Sequence, residues 1–105
     1  MKIKYRPAAI ADLDRTCDYL RNKLHNPSAA QNLSTKLLRS VSLLKENPYM
    51  GIPLSSKPEA PENDYRFLVV SKQLVFYLVE DELIEIVRIL DGRTDYLAQL
   101  FGETE

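Results

Sequence analysis

Residues 65–101 read YRFLVVSKQLVFYLVEDELIEIVRILDGRTDYLAQLF, and this stretch decides the fold. Three apolar runs, at residues 65–70, 74–80 and 83–91, follow one another across turns of two or three residues. This spacing predicts an antiparallel meander of three strands. One face of such a sheet is too apolar for water, so another part of the chain must cover it.

Two helices predicted in the preceding half of the chain supply that cover. Pro7 suits the first position of a helix, and apolar residues then recur at spacings of three and four, as in an amphipathic helix. The two stripes are Ile10, Leu13, Cys17, Leu20 and Leu24, then Ala30, Leu33, Leu37, Leu38, Val41 and Leu44. Asn26-Pro27 ends the first helix, and Ser28 with Gln31 resembles a capping box that opens the second. Because the break is short, we predict an antiparallel helical hairpin.

The remaining elements complete an α+β fold. Residues 2–6 alternate between charged and apolar side chains, which predicts a short strand. Thr94 is a candidate cap for a short C-terminal helix, and Gly102 is its expected end. The predicted order is therefore β-α-α-β-β-β with a short C-terminal helix, an antiparallel sheet covered by the helical hairpin, in a single domain over residues 1–105. Residues 47–64 hold four of the six prolines and predict a long irregular connection, either functional or mobile.

Composition limits the classes of function. The chain has 14 basic and 15 acidic residues and a net charge of −1, unlike the basic excess typical of nucleic-acid-binding proteins. A local basic patch stays open. Cys17 is the only cysteine, so no internal disulfide can form. No apolar run is long enough to span a bilayer, and the first residues alternate rather than form a signal peptide. We expect a cytoplasmic location and no membrane partner.

The motifs of common metal and cofactor sites are missing from the sequence. There is no Gly-rich phosphate loop, no HExxH and no CxxC pair. The acidic residues of the loop and turns lack metal-ligand spacing, so we predict neither metal nor cofactor. His25 is interpreted as a cation at a helix end and Cys17 as a small core residue.

Cations near the predicted strands form the candidate binding site. Arg88 lies in an otherwise apolar strand, so it must reach the sheet rim or pair with a carboxylate, for which Glu85 points to the wrong face. Guanidinium groups bind phosphates and carboxylates well, although ordinary ion pairing is an open alternative. Gly92 is expected to make a turn before a helix capped by Thr94 or Asp95. The predicted target- or partner-binding residues are Arg66, Lys72, Arg88, Arg93, Asp95 and Tyr96.

The sequence VFYLVEDELIEIVRILDGRTDY, residues 75–96, with the helical hairpin before it, resembles the RelE/ParE superfamily of bacterial type II toxin–antitoxin toxins. The resemblance covers nearly the whole chain. It implies a growth-inhibiting toxin, with a role such as plasmid stabilisation, that a cognate antitoxin neutralises in a toxin–antitoxin hetero-oligomer. The superfamily has two branches: the RelE-like branch cleaves mRNA on the ribosome, and the ParE-like branch poisons DNA gyrase.

Departures from the ribonuclease branch favour the ParE-like one. The RelE-like ribonuclease branch has arginines at the positions where this chain has Leu74 and Thr94. The sequence Arg-Ile-Leu-Asp-Gly-Arg-Thr-Asp, residues 88–95, is similar to the ParE-like branch, which usually has histidine in place of Asp91. The resemblance therefore implies a ParE-like toxin that binds and poisons DNA gyrase, and we expect a protein that inhibits by binding rather than an enzyme.

Two alternatives stay open beside gyrase poisoning. A RelE-like endoribonuclease, acting on mRNA at the ribosome, would use Arg66, Lys72, Arg93 and Tyr96 as its catalytic set. Arginine is a poor base, and Lys72 would need a lowered pKa. The other alternative is a non-toxic member that only binds its antitoxin. In every case we predict that a groove between the helical hairpin and the sheet holds an antitoxin segment, and that charge reversal at Arg88 disturbs it.

Overall fold

A computed structural model describes residues 1–102 and arranges them as one sheet with helices on both of its faces. In chain order the elements are β1 (Lys2–Tyr5), α1 (Pro7–Asp18), α2 (Pro27–Ser42), β2 (Ile52–Pro53), β3 (Arg66–Val70), β4 (Gln73–Glu80), β5 (Leu83–Asp91) and α3 (Tyr96–Phe101). A π-helical turn, Tyr19–Lys23, continues α1, and short 3-10 turns occur at Leu43–Lys45 and Leu54–Ser56. The predicted α+β fold is confirmed.

The sheet has the strand order β1-β5-β4-β3-β2. The predicted antiparallel meander is β3, β4 and β5. The structure adds one detail: β1 runs parallel to β5, so the whole sheet is mixed. Alternation in the sequence fixes which face a strand buries but not the direction of its partner. A β-bulge lies in β5, where Phe76 pairs with Arg88 and Tyr77 with Ile86, so that Val87 is the extra residue.

Each face of the sheet has its own hydrophobic core. On one face the helices contribute Ala9, Leu37, Val41 and Leu44, which pack against Val70, Val75, Tyr77, Ile84, Ile86 and Ile89. The other face buries Leu54, Phe67, Leu74, Phe76 and Leu90 under Tyr65 and the residues of α3. Burying one such side chain fully stabilises the fold by about 1.5–3 kcal/mol. The helical hairpin therefore covers the sheet as predicted, and α3 covers the opposite face.

The first predicted stripe is only partly correct. Cys17 is buried and Leu13 packs against the core, but Ile10 and Leu24 are exposed. The inward positions of α1 are instead taken by Ala9 and Asp12. The π-helical turn explains Leu24, because a wider turn rotates later residues away from the face that α1 buries.

The N-terminal cap of α2 differs from the predicted one. Asn26 accepts a hydrogen bond from the backbone N–H of Ala29 at 3.1 Å, so α2 begins at Pro27, two residues before the start that a cap at Ser28 would give. The capping box of Ser28 and Gln31 is therefore wrong. The Asn-Pro pair supplies both a cap and a favourable first residue, which leaves Ser28 inside the helix.

The short helix α3 is capped by one of the two residues proposed for it. Asp95 accepts a hydrogen bond from the N–H of Ala98 at 3.3 Å, whereas the hydroxyl of Thr94 donates to the carbonyl of Asp91. Gly102 follows the helix with φ of +80°, a conformation that side chains disfavour, and so ends it as predicted.

The connection at residues 47–64 is less irregular than its prolines predict. Strand β2 pairs with the start of β3, and Leu54 after it is fully buried. The hydroxyl of Tyr77 donates to the carbonyl of Pro48 and accepts from the N–H of Gly51, both at 2.9 Å. The first half of the connection is therefore anchored on the sheet.

Within residues 1–102, the helices lack the combination of length and apolar character that crossing a bilayer requires.

Candidate functional site

A groove of about 1620 Å³ lies between the helical hairpin and one end of the sheet. The walls come from α1 with its π turn, from α2, from the turn between β3 and β4, and from the end of β5. Among the residues that line it are Arg15, Tyr19, Leu20, Leu24, Leu33, Lys36, Arg39, Leu43, Ser71, Lys72, Gln73, Asp91 and Arg93. We call this site the hairpin groove. Because both halves of the chain contribute to it, it exists only in the folded protein.

Three large apolar side chains of the hairpin groove are more than half exposed. Tyr19 and Leu43 are each 55% exposed, and Leu24 is 53% exposed. Tyr19 begins the π turn, Leu24 follows that turn, and Leu43 begins the 3-10 turn after α2. Exposed apolar side chains that line one groove of a small protein are typical of a site for a partner.

The hairpin groove is also cationic. Five basic residues line it (Arg15, Lys36, Arg39, Lys72 and Arg93), against one carboxylate, Asp91. Arg15 lies 3.3 Å from Asp12, and Arg93 lies 2.6 Å from Asp91. Across residues 1–102, the other three cations have no carboxylate within 4.0 Å. An acidic partner would therefore find free positive charge beside an apolar floor.

Arg93 is held by Asp91 at the rim of the groove. Its Nε and Nη2 donate to the two carboxylate oxygens at 2.9 and 2.6 Å, and its backbone N–H donates at 2.8 Å. These hydrogen bonds lower the pKa of Asp91 to about 2. They also raise the pKa of Arg93. The pair is ionised at neutral pH, and Arg93 stays exposed to a partner.

The structure brings two of the predicted residues, Lys72 and Arg93, to the same rim. The backbone N–H of Gly92 donates to the carbonyl of Lys72 at 2.8 Å, which ties the β3–β4 turn to the loop after β5. Gly92 has no positive φ, but a Cβ there would lie 3.4 Å from Leu74. Contacts of 3.4 Å are ordinary van der Waals packing, so the space at Gly92 would accept a small side chain.

Arg88 pairs with Asp12 of α1, so it has a carboxylate partner, one of the two arrangements expected for it. Its Nε and Nη2 donate to the two oxygens of Asp12 at 2.7 and 2.9 Å. These hydrogen bonds raise the pKa of Arg88. Glu85 is bound by Arg6 at 3.0 Å instead. Arg88 does not line the hairpin groove.

Asp12 also completes the edge of β5. Strand β1 ends at Tyr5, opposite Ile86, so it does not reach the later residues of β5. Asp12 accepts the backbone N–H of Ile89 at 3.0 Å, where a strand neighbour is missing, and is only 2% exposed. Sequence reasoning missed Asp12. The available signal was its position three residues after Ala9, on the face that α1 buries.

Arg66 serves the connection at residues 47–64. Its Nη1 donates to the carbonyls of Tyr49 and Gly51 at 3.1 and 2.8 Å, and its guanidinium lies 5.1 Å from the ring centre of Tyr49. Arg66 begins β3, whereas Lys72 follows the end of that strand. With a rise of about 3.3 Å per residue, the strand alone separates them by about 13 Å.

The last two predicted residues belong to α3, on the sheet face opposite the hairpin. Tyr96 packs its ring 5.7 Å from that of Phe76, between ring centres, and Asp95 caps the helix. The predicted site residues therefore occupy four places: the groove rim, the Asp12 pair, the start of β3, and α3.

Known proteins show a consistent likeness to this chain. A profile of the ParE toxin of the type II toxin–antitoxin system parDE matches residues 3–96. The chromosomal ParDE system from P. aeruginosa has a TM-score of 0.70 and 24% identity, covering 87% of this chain and 95% of that one. The E. coli DinJ–YafQ toxin–antitoxin complex has a TM-score of 0.56 and 23% identity, covering 96% and 97%. These two structures share the fold. No curated protein matches the chain in sequence.

Proposed function

The chain belongs to the ParE toxin family of type II toxin–antitoxin systems, and we propose that it inhibits growth by binding and poisoning DNA gyrase until an antitoxin occupies its hairpin groove. The family gives the class of protein. The geometry of the predicted residues favours gyrase over the ribosome and binding over catalysis.

The main support for binding over catalysis is that the four residues predicted for a ribonuclease lie apart from one another. General acid–base catalysis needs donor, acceptor and charge-stabilising groups within hydrogen-bond reach of one substrate atom. Lys72 and Arg93 share the groove rim, but Arg66 lies beyond the length of β3 and Tyr96 on the opposite sheet face. Arg66 and Arg93 are also already hydrogen-bonded, the first to carbonyls and the second to a carboxylate. This arrangement favours a toxin that acts by binding.

The hairpin groove supports the antitoxin part of the proposal. Its exposed leucines offer a surface that water wets poorly, and Lys36, Arg39 and Lys72 are unpaired among residues 1–102. An amphipathic acidic segment fits both features. The E. coli relative is itself a toxin–antitoxin complex. We propose the same kind of hetero-oligomer for this chain.

The decisive experiment uses the purified chain with gyrase, relaxed plasmid and ATP. We expect loss of supercoiling and accumulation of cleaved DNA, both reversed by the antitoxin encoded beside the toxin gene. Intact supercoiling, without cleavage complexes, at toxin in excess over gyrase would contradict gyrase as the target.

The same preparation tests the two alternatives. A translating extract should show no codon-phased mRNA cuts; cuts that disappear in Lys72→Ala and Arg93→Ala would instead establish the ribonuclease. In cells, expression without antitoxin should stop growth and induce the DNA-damage response. Normal growth at confirmed soluble expression would favour the non-toxic, antitoxin-binding member.

The exposed rim residues provide a variant test of target binding. We expect Arg93→Glu to weaken gyrase inhibition by about tenfold or more, because reversed charge at an interface is repulsive. Arg21→Glu is the matched control, since Arg21 is also an exposed arginine paired with a nearby aspartate but does not line the groove. Equal inhibition by both variants would remove Arg93 from the target-binding surface.

A further inference from the structure

Gln73 is the first residue of β4, and its side chain lies in the wall of the hairpin groove. It is only 7% exposed, and its Oε1 is buried without a hydrogen-bond partner. Within the described part of the chain, this is the one buried side-chain oxygen or nitrogen left in that condition. Burying an unpaired amide oxygen is costly, so the position calls for an explanation beyond the fold of the free toxin.

From this we infer that Gln73 is a specificity residue of the hairpin groove, and that its amide pairs with the main chain of an extended acidic antitoxin segment. The inference rests on the proposed antitoxin function of the groove. A primary amide carries one acceptor oxygen and a donor NH2 group, so it can bind the N–H and C=O of one peptide at the same time.

The geometry at Gln73 permits this pairing. The last torsion of a glutamine side chain is soft, so the amide can turn from the wall toward the groove. Gln73 pairs with Val70 and Asp91 in the sheet through its backbone, which leaves the amide uninvolved in strand pairing. The buried oxygen therefore gains a donor when the amide turns toward a bound main chain.

The surroundings of Gln73 identify the chemistry of the occupant. Lys72 precedes it, and Arg39 and Lys36 line the same groove, so the segment carries carboxylates. The apolar side chains there favour a polypeptide over a nucleic acid. Main-chain groups inside a helix are already hydrogen-bonded, so the part of the segment at Gln73 must be extended.

The test combines stability and affinity in one variant, Gln73→Leu. Free toxin should unfold at a higher temperature, by about 4 °C, because an unpaired buried polar group is replaced by an apolar one. Affinity for the purified antitoxin encoded beside the toxin gene should fall about tenfold in calorimetric titration, since the amide hydrogen bonds are lost. A purely structural glutamine would lower stability and leave affinity unchanged.

Two further variants complete the design. Gln31→Leu is the matched control, because Gln31 is an exposed glutamine outside the groove that bonds only Thr35; it should change affinity less than twofold. Gln73→Glu keeps the shape but removes the donor and adds negative charge, so it should weaken binding more than Gln73→Leu. This second variant keeps the inference testable if Gln73→Leu folds poorly.

Antitoxin-derived peptides locate the contact on the partner. A series with one N-methylated amide each should contain a position that weakens binding to the wild-type toxin but not to Gln73→Leu. Wild-type affinity for both Gln73 variants, or additive losses at every peptide position, would overturn the inference. If Leu43→Asp abolishes binding while the Gln73 variants do not, the result would support antitoxin binding in the groove and contradict the specificity role of Gln73.

Discussion

At the scale of the residue, the contact between Asp12 and Arg88 shows how one side chain can replace a missing strand. Asp12 accepts hydrogen bonds from Nε and Nη2 of Arg88 and from the backbone N–H of Ile89, beyond the point where β1 ends. Arg88 is 26% exposed and Asp12 2%, so the pair is largely removed from water. Such a pair destabilises strongly when only one partner is removed, because the other stays buried and unpaired.

We therefore expect Asp12→Ala to lower the free energy of unfolding by about 3 kcal/mol. Asp14→Ala is the matched control on the same helix, where the side chain is exposed, and should change it by less than about 0.5 kcal/mol. Urea denaturation followed by circular dichroism measures both. Similar midpoints for the two variants would show that the buried pair does not matter for stability.

The same pair changes how the arginine should be tested for binding. Charge reversal at Arg88 would place a second carboxylate against Asp12 and damage the fold, so a loss of antitoxin binding by that variant would have two causes. Residues that line the hairpin groove without internal partners give cleaner tests.

Because of the contact between Asp91 and Arg93, we expect the stability of the folded protein to depend on pH in the acid range. Its folded pKa of about 2 lies below the ordinary 3.8, because Arg93 donates hydrogen bonds to the ionised form. A lowered folded pKa means that the stabilisation is complete above the ordinary value and is lost as pH falls through about 2. Asp91→Asn should therefore be less stable than wild type at pH 5, and the difference should shrink steadily between pH 4 and pH 2.

Denaturation curves over that pH range provide the measurement. Arg93→Ala should remove most of the same dependence, and the double variant should add little to either single change, since both act on one contact. A gap between Asp91→Asn and wild type that stays constant from pH 5 to pH 2 would contradict this account.

At the scale of the element, the joint between α1 and α2 is built from local backbone chemistry. The π-helical turn widens the end of α1, and His25 then adopts a positive φ of 50° before Asn26 caps α2. The widening turns Leu24 out of the core and into the lining of the hairpin groove. A departure from regular helix geometry thus supplies part of the lining of the hairpin groove.

Two residues, Asn26 and Ser28, are alternative N-caps of α2, and substitution of each one distinguishes them. Asn26→Ala should destabilise the protein by about 1 kcal/mol, because the N–H of Ala29 loses its acceptor. Ser28→Ala should have an effect near zero, as Ser28 lies inside the helix. Thermal unfolding of both variants gives the comparison, and a larger loss for Ser28→Ala would restore the capping box.

At the scale of the whole molecule, the hairpin groove is the meeting point of elements far apart in the chain. The helical hairpin and the turns that end its helices provide its apolar side chains. The β3–β4 connection, the start of β4 and the loop after β5 provide Lys72, Gln73 and Arg93. Local unfolding of either half would remove the site. Binding of a partner that needs both halves should therefore stabilise the entire fold.

Two leucines of α2 and the turn after it test whether the groove is the docking site. Leu43 is 55% exposed and lines the groove, whereas Leu38 is 48% exposed and does not. We expect Leu43→Asp to weaken antitoxin binding by about 30-fold or more, which corresponds to a hot-spot loss of about 2 kcal/mol. Leu38→Asp should stay within about twofold. Equal losses in titration of the two variants would place the antitoxin elsewhere.

The sequence by itself determined the meander, the hairpin and the family. Alternation in β3–β5, helical spacing in α2 and the run from Arg88 to Asp95 are local patterns, and local patterns report which face of an element is buried. The apolar strand around Arg88 likewise predicted that this residue needs a carboxylate partner. It did not identify which carboxylate that is.

Only the tertiary structure decided which residues meet. Asp12 and Arg88 are 76 positions apart, so no spacing rule joins them, and the direction of β1 depends on the whole path of the chain. The unpaired oxygen of Gln73 likewise becomes visible only when every possible neighbour has been placed. Burial and hydrogen-bond satisfaction are properties of the assembled molecule, and they separate the groove rim at Lys72 and Arg93 from cations that hold the fold together.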